Sequence, residues 1–137
     1  MEIEIRPATS GDLEAIGAIQ RRAPEAAQWP APECLKYDCT LAVMDGRVVG
    51  FLVSRAAADE REVLNLAVDP GYRRRGVARA LLGAAINRSP GRWFLEVRES
   101  NRTAREVYRS LGFIEVSRRP EYYENPREHA IVLKFFS

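Results

Sequence analysis

The stretch Leu64–Asn87 constrains the fold more than any other part of the 137-residue chain. It reads as a strand, a tight turn, a basic loop holding one glycine, and a helix. Val63, Leu64, Leu66, Ala67 and Val68 form a nearly continuous apolar run, as expected of a strand buried on both faces. Asp69-Pro70-Gly71 ends it, because proline presets one turn dihedral and glycine accepts positive φ. Arg73, Arg74 and Arg75 then precede Gly76, and a helix begins at about Gly76–Val77. A helix N-terminus presents unpaired N–H groups and the positive end of its dipole. A glycine there lets an anion approach the backbone. The stretch is therefore either a solvated surface turn or a cradle for a pyrophosphate.

The helix from Gly76 to about Asn87 is expected to bury Val77, Leu81, Leu82, Ala84, Ala85 and Ile86. Arg88-Ser89-Pro90-Gly91 breaks it, and Arg92–Val97 is the next strand, with Trp93, Leu95 and Val97 on one side and Phe94 and Glu96 on the other. Strand–helix–strand from Val63 through Val97 implies a parallel pair with a right-handed crossover. Ligands of such a pair bind beyond the carboxyl ends of its strands. Val68, the Arg73–Ala78 loop, Asn101 and Tyr108 all fall at that end in this reading, which favours the cradle.

The rest of the chain surrounds this unit. Ile3 and Ile5 alternate with polar residues, predicting a short strand. Thr9-Ser10-Gly11-Asp12 predicts a helix start. Leu13, Ile16, Ile19 and Ala23 follow helical spacing until Pro24. Pro24–Pro32 reads as a loop, and Pro32–Tyr37 as a possible short helix. Thr40–Met44 and Val48–Val53 are β-rich runs joined by Asp45-Gly46, a strong hairpin signal. Ala56–Glu60 reads as a loop before the strand Glu62–Val68. Ser100 or Asn101 caps a helix whose Ala104, Val107, Tyr108 and Leu111 share a face. Gly112 suits a left-handed helix end. Phe113–Val116 is a strand, Arg118–Pro126 a polar loop, and His129–Phe136 a final strand. The whole is a single α/β domain over residues 1–137, a mixed, mostly antiparallel sheet with helices on its faces.

Composition narrows the function. Twenty-one basic and 19 acidic residues leave a net charge of +2, too balanced for general nucleic-acid binding. No apolar run is long enough to span a bilayer and no signal-peptide pattern stands at the start, so a cytoplasmic protein without membrane contact is expected. Cys34 and Cys39 read as reduced thiols. With His129 the lone histidine, a Cys/His metal site is not expected. A monomer or weak dimer is expected.

Several residues could carry chemistry. Glu96 sits inside Trp-Phe-Leu-Glu-Val, where an unpaired buried carboxylate would be costly. It is either ion-paired to an arginine, solvent-facing near a strand end, or a general base. Tyr108, on an apolar helix face, is either core with a bonded hydroxyl or a proton donor to a leaving group. Asn101 is a helix cap or a ligand contact. Tyr122 and Tyr123 are amphipathic loop residues or the lining of a peptide entrance. Trp29, bracketed by prolines, is a packing anchor or an acceptor contact.

Asn65–Pro70 followed by Arg73-Arg74-Arg75-Gly76-Val77-Ala78 resembles the acetyl-CoA signature of the GNAT acetyltransferase superfamily, Gln/Arg-x-x-Gly-x-Gly/Ala, with Arg73, Gly76 and Ala78 in its fixed places. Leu95–Asn101, Ala104, Tyr108, Leu111-Gly112-Phe113 and Arg118–Tyr123 resemble one branch, the bacterial ribosomal-protein-alanine N-acetyltransferases. The likeness runs over about Val63–Tyr123. It implies the GNAT fold, whose parallel strand pair splays, and a metal-free transfer of acetyl from acetyl-CoA to a protein N-terminus. It implies that Leu66, Ala67 and Val68 offer backbone groups to the pantetheine arm. Arg73, Arg74, Arg75, Gly76, Val77, Ala78 and Arg79 would hold the pyrophosphate, and Asn101 would touch the cofactor's arm. Glu96 would be the base, Tyr108 the acid, and Tyr122 and Tyr123 part of the acceptor loop. Lysine or small-amine acetylation is the alternative within the fold. A non-catalytic acyl-CoA-binding module is the alternative outside catalysis.

Overall fold

The computed structural model describes residues 2–24 and 26–136, so residue 25 of the Pro24–Pro32 loop lies outside the described residues. Its strands are β1 (Glu4–Pro7), β2 (Asp38–Met44), β3 (Arg47–Ala57), β4 (Glu60–Val68), β5 (Arg92–Arg98), β6 (Ile114–Tyr123) and β7 (Glu128–Phe136). They form one mixed sheet in the order β1-β2-β3-β4-β5-β7-β6. The helices are α1 (Leu13–Arg22), α2 (Ala31–Cys34), α3 (Val77–Arg88) and α4 (Arg102–Ser110). The chain divides into two compact units: Met1–Arg55 with Val63–Pro90, and Ala56–Glu62 with Gly91–Ser137.

In the first unit β1 pairs antiparallel with β2, and β2 with β3. Asp45 (φ 52°) and Gly46 (φ 73°) make the tight turn between β2 and β3, the mirror-image turn that matches strand twist. Residues 49–54 of β3 are all buried, so both its faces are covered. Phe51 and Val53 join Ile16 and Ile19 of α1 in one cluster. On the opposite face, a Cβ on Gly50 would stand 3.0 Å from Val77 Cγ1 and 3.0 Å from the Ala67 carbonyl oxygen. Successive strand residues point to opposite faces, so α1 and α3 cover opposite sides of this part of the sheet, and α3 sits close because residue 50 has no side chain. Asp12 accepts from the Thr9 N–H (2.8 Å) and from both terminal nitrogens of Arg6 (3.0 Å each), fixing the start of α1. Its first turn, Ser10–Asp12, is a 3₁₀ turn.

In the second unit the Glu60–Glu62 end of β4 pairs parallel with Arg92–Phe94 of β5, the expected parallel pair. β5 pairs antiparallel with β7, and β7 with β6. Trp93, Leu95 and Leu133 are fully buried. Tyr108 of α4 packs edge-on against Phe113, and Phe113 on Phe135. Gly112 (φ 102°) ends α4, where a Cβ would come within 2.9 Å of Phe135. The Phe113 N–H closes the end by donating to the Tyr108 carbonyl.

Several expectations are corrected. The Ala56–Glu60 loop is only the turn Ala58-Asp59, because β3 runs to Ala57 and β4 begins at Glu60. The second short helix is Ala31–Cys34 rather than Pro32–Tyr37. Arg118–Pro126 is not a loop: β6 continues to Tyr123, with register shifts between Glu115 and Ser117 and between Arg119 and Tyr123. β4 is not buried on both faces, since Val63, Asn65 and Ala67 are buried while Leu64, Leu66 and Val68 are half-buried. Ala84 and Ile86 are half-buried. Val107 is 38% exposed and does not share the buried face of Tyr108.

Candidate active site

The basic loop in the first unit is shaped by its main chain. Asp69 is 3% exposed. Its carboxylate accepts from Arg22 Nη1 at 2.6 Å and from the Gly71 N–H at 2.9 Å. Its own N–H donates to the Val49 carbonyl at 2.8 Å. The turn Pro70–Tyr72 is thereby anchored to β3 and to the end of α1. Arg75 then stacks over the Tyr72 ring at 5.3 Å. Arg74 (φ 64°) and Gly76 (φ 81°) both take left-handed backbone. Gly76 is the N-cap of α3, and a Cβ there would meet nothing within 4 Å. It is glycine for its dihedral, and it opens onto empty space in front of the helix's first N–H groups. Arg73, Arg74, Arg75 and Arg79 are exposed around it. Open space, the N–H groups at a helix N-terminus and positive charge fit a diphosphate. Leu66 and Val68, half-buried on β4, supply an apolar strip suited to a pantetheine arm, with Ala67 buried between them.

The 27–29 segment of the same unit is held by two side-chain amides. Asn65 Oδ1 accepts from the Ala27 N–H (3.2 Å) and Asn65 Nδ2 donates to the Ala27 carbonyl (2.9 Å). Gln20 Oε1 accepts from the Trp29 N–H (2.9 Å) and Gln20 Nε2 donates to the Trp29 carbonyl (2.8 Å). The Trp29 ring is half-buried and tilts against Tyr37 at 5.8 Å, so it is at least a packing anchor. A cavity of about 320 Å³ lies between Leu13, Gly17 and Gln20 of α1 and the Gln28–Ala31 segment.

The second unit carries the carboxylate and the phenols. Glu96 has a side chain 13% exposed and accepts from Arg119 Nη1 at 2.8 Å, the arginine pairing that the sequence left open. Arg119 also lies 4.1 Å from the Tyr122 ring centre, and Arg98 lies 4.5 Å from that of Tyr123. Tyr122 and Tyr123 meet edge to face at 5.2 Å. Burial first, and the Glu96 charge next, push the Tyr123 phenol up to about 12. Arg98 donates to the Glu124 and Pro126 carbonyls at 3.0 and 2.9 Å, tying the turn after β6 to β5. Tyr108 is 7% exposed, and burial holds its phenol well above the ordinary value. It stays protonated at neutral pH, as a proton donor must. Asn101 caps α4, its Oδ1 accepting from the Ala104 N–H at 3.1 Å.

The structure thus gathers Leu66–Ala78 and Trp29 in the first unit, and Glu96, Asn101, Tyr108, Tyr122 and Tyr123 in the second. Sequence reasoning overlooked Gln20, Arg22, Gly50, Asn65, Asp69 as a buried anchor, and Arg119. Asn65 carried a readable signal, since a lone amide inside an apolar strand needs a partner for the reason that marked Glu96.

Residues 10–113 match the family model described as the acetyltransferase (GNAT) family. The [Ribosomal protein bS18]-alanine N-acetyltransferase of Escherichia coli (strain K12) is 40% identical over 133 residues, 89% of each chain. That of Haemophilus ducreyi is 36% identical over 96 residues, 65% of this chain and 66% of that protein. The crystal structure of the ribosomal-protein-S18-alanine N-acetyltransferase from Escherichia coli superposes with a TM-score of 0.80 at 33% identity, over 98% of this chain and 93% of that one. With a matching family model over most of its length and a relative 40% identical over 89% of each chain, the chain belongs to the acetyltransferase (GNAT) family.

Proposed function

We propose that this enzyme transfers acetyl from acetyl-CoA to the N-terminal α-amine of a ribosomal protein, in the cytoplasm, with residues 1–137 acting as one catalytic domain. The observation that carries the substrate is the 40% identity, over 89% of both chains, to a protein named for acetylating the alanine of ribosomal protein bS18.

The residues suit that chemistry. The cofactor's diphosphate would rest on the N–H groups of α3 in front of Gly76, with Arg73, Arg74, Arg75 and Arg79 supplying field. Its arm would hydrogen-bond to the backbone of Leu66–Val68, and Asn101 is read as a further contact to it. The attacking nitrogen must be neutral. An α-amine with a pKa of about 7.7–8.0 is roughly 10–20% neutral at pH 7, against well under roughly 1% for a lysine. Glu96, directly or through a water, takes the remaining proton. Arg119 engages its Oε1, and this reading assigns Oε2 to the amine. The nitrogen–carbon bond forms at the thioester carbonyl, and a β4 backbone N–H stabilises the oxyanion. As the carbon–sulfur bond breaks, the nitrogen, positively charged once bonded, sheds its second proton. The departing thiolate takes the proton of the Tyr108 phenol, and the phenolate recovers the proton that the nitrogen released, relayed through solvent, leaving an amide and a free thiol. Trp29, Tyr122 and Tyr123 are each read as acceptor contacts.

The test is acetylation of matched peptides with free and blocked α-amines, each containing a lysine. Loss of the rate on blocking the α-amine is expected. An unchanged rate would move the activity to side-chain or small amines, and no rate with any amine would leave an acyl-CoA-binding module.

A further inference from the structure

Asn65 and Gln20 are buried amides, 3% and 4% exposed, and neither is part of the acid–base chemistry. Each makes a two-point contact with main chain, one bond accepted and one donated, to Ala27 and to Trp29 respectively. Asn65 Nδ2 also reaches Gln20 Oε1 at 3.3 Å. Ala27 and Trp29 are two apart, the separation at which an extended strand turns its N–H and C=O groups to the same side. The two amides stand where a neighbouring strand would stand. Their orientation is unambiguous: each main-chain N–H requires the amide oxygen and each carbonyl requires the amide nitrogen.

Asn65 belongs to β4, one residue before Leu66. The clamp therefore ties the 27–29 segment to the strand assigned to the acetyl donor through Asn65, and to α1 through Gln20. Arg22, two residues along α1 from Gln20, holds Asp69 at the end of the same strand. We propose that Gln20 and Asn65 are positioning residues for the acceptor: together they hold the 27–29 segment so that Trp29 forms the wall against which the first residues of the acceptor chain are selected. This rests on the reading of Trp29 as an acceptor contact.

The side-chain chemistry supplies clean variants. Gln20→Met keeps the buried volume and removes both bonds to Trp29. Asn65→Asp keeps the shape but turns an acceptor toward the Ala27 carbonyl. Both are compared with the unsubstituted enzyme in steady-state acetylation of two peptides, one beginning with alanine and one with leucine, and in calorimetric titration with acetyl-CoA.

Both variants should lose about tenfold in kcat/KM for the alanine peptide, as misplacement of a positioning group does. The preference for alanine over leucine should narrow, with acetyl-CoA affinity within about twofold of the parent. An unchanged preference overturns the proposal, whether or not cofactor affinity and melting temperature fall, because a merely structural contact lowers all substrates together. If Asn65→Asp does not fold, Gln20→Met alone decides by the same outcomes. Trp29→Ala separates the underlying reading from the clamp. If it moves neither KM nor preference, the acceptor role of Trp29 falls and the clamp proposal with it. If it weakens acceptor use while Gln20→Met does not, only the clamp proposal falls.

Discussion

The Arg73–Gly76 loop and the Arg118–Tyr123 end of β6 are both arginine-rich, and each holds residues proposed to be functional. In the first, the arginines stand exposed and the shape is made by main chain: left-handed Arg74 and Gly76, a turn pinned by Asp69, and a helix drawn close over Gly50. In the second, side chains hold one another. Arg119 bridges Glu96 and the Tyr122 ring, and Arg98 bridges the Tyr123 ring and two carbonyls. Where main chain makes the shape, an added Cβ should harm more than a lost charge. Where side chains make it, a single truncation releases a partner.

The largest expected effect is on the side-chain half. Glu96→Gln keeps the volume and a bond-capable head, yet cannot take a proton. Turnover should fall about 10²-fold, with acetyl-CoA affinity retained in calorimetry. Unchanged turnover would remove Glu96 from the chemistry and reduce its pairing with Arg119 to architecture.

A smaller effect tests the main-chain half. Gly76→Val forces a branched residue into left-handed backbone, a strain of about 1–3 kcal/mol. Acetyl-CoA affinity should weaken by about tenfold. Arg75→Ala, at an exposed position, should weaken it by only about two- to fivefold. Comparable losses in the two titrations would erase the distinction between the halves.

The smallest effect lies outside both stretches, at a pairing that acts on stability alone. Arg6 first, then the Thr9 N–H, hold the Asp12 carboxyl well below the ordinary value of 3.8. The unfolded chain therefore binds this proton first as pH falls. The contribution is complete above that ordinary value and is lost as pH drops through the depressed native one. Asp12→Asn should flatten the acid limb of melting temperature against pH below about 4. An acid limb identical to the parent's would show that the pairing carries no pH-dependent stability.

The main-chain half was the legible one. Proline after Asp69, glycine at 76, Asp45-Gly46 and Gly112 each answer a local dihedral requirement, and local requirements are written in neighbouring residues. The side-chain half was not, for two reasons. Residues 116–122 of β6 are all exposed, so the segment lacks the alternation that marks a half-buried strand and reads as a loop. And the decisive pairs join residues far apart in sequence: 23 positions for Arg119 and Glu96, 45 for Asn65 and Gln20, 47 for Arg22 and Asp69. Nothing in the neighbourhood of either partner names the other. Glu96 advertised only that it needed one.

β6 stands last in the strand order, and its irregularity has a bearing on how many copies of this protein can share a solution. A straight sheet edge is a template on which another chain can add a strand. Here Ile114 and Val116 are 62% and 48% exposed and would invite that addition. Two register shifts, Glu121 at φ 50°, a proline at 120 without an N–H to offer, and the charges of Arg118 and Arg119 interrupt the edge within a few residues. The kinked segment that brings Arg119 to Glu96 thus also closes this edge of the sheet to growth. Straightening it would trade the Arg119 partner of Glu96 for a seed of fibrous self-assembly.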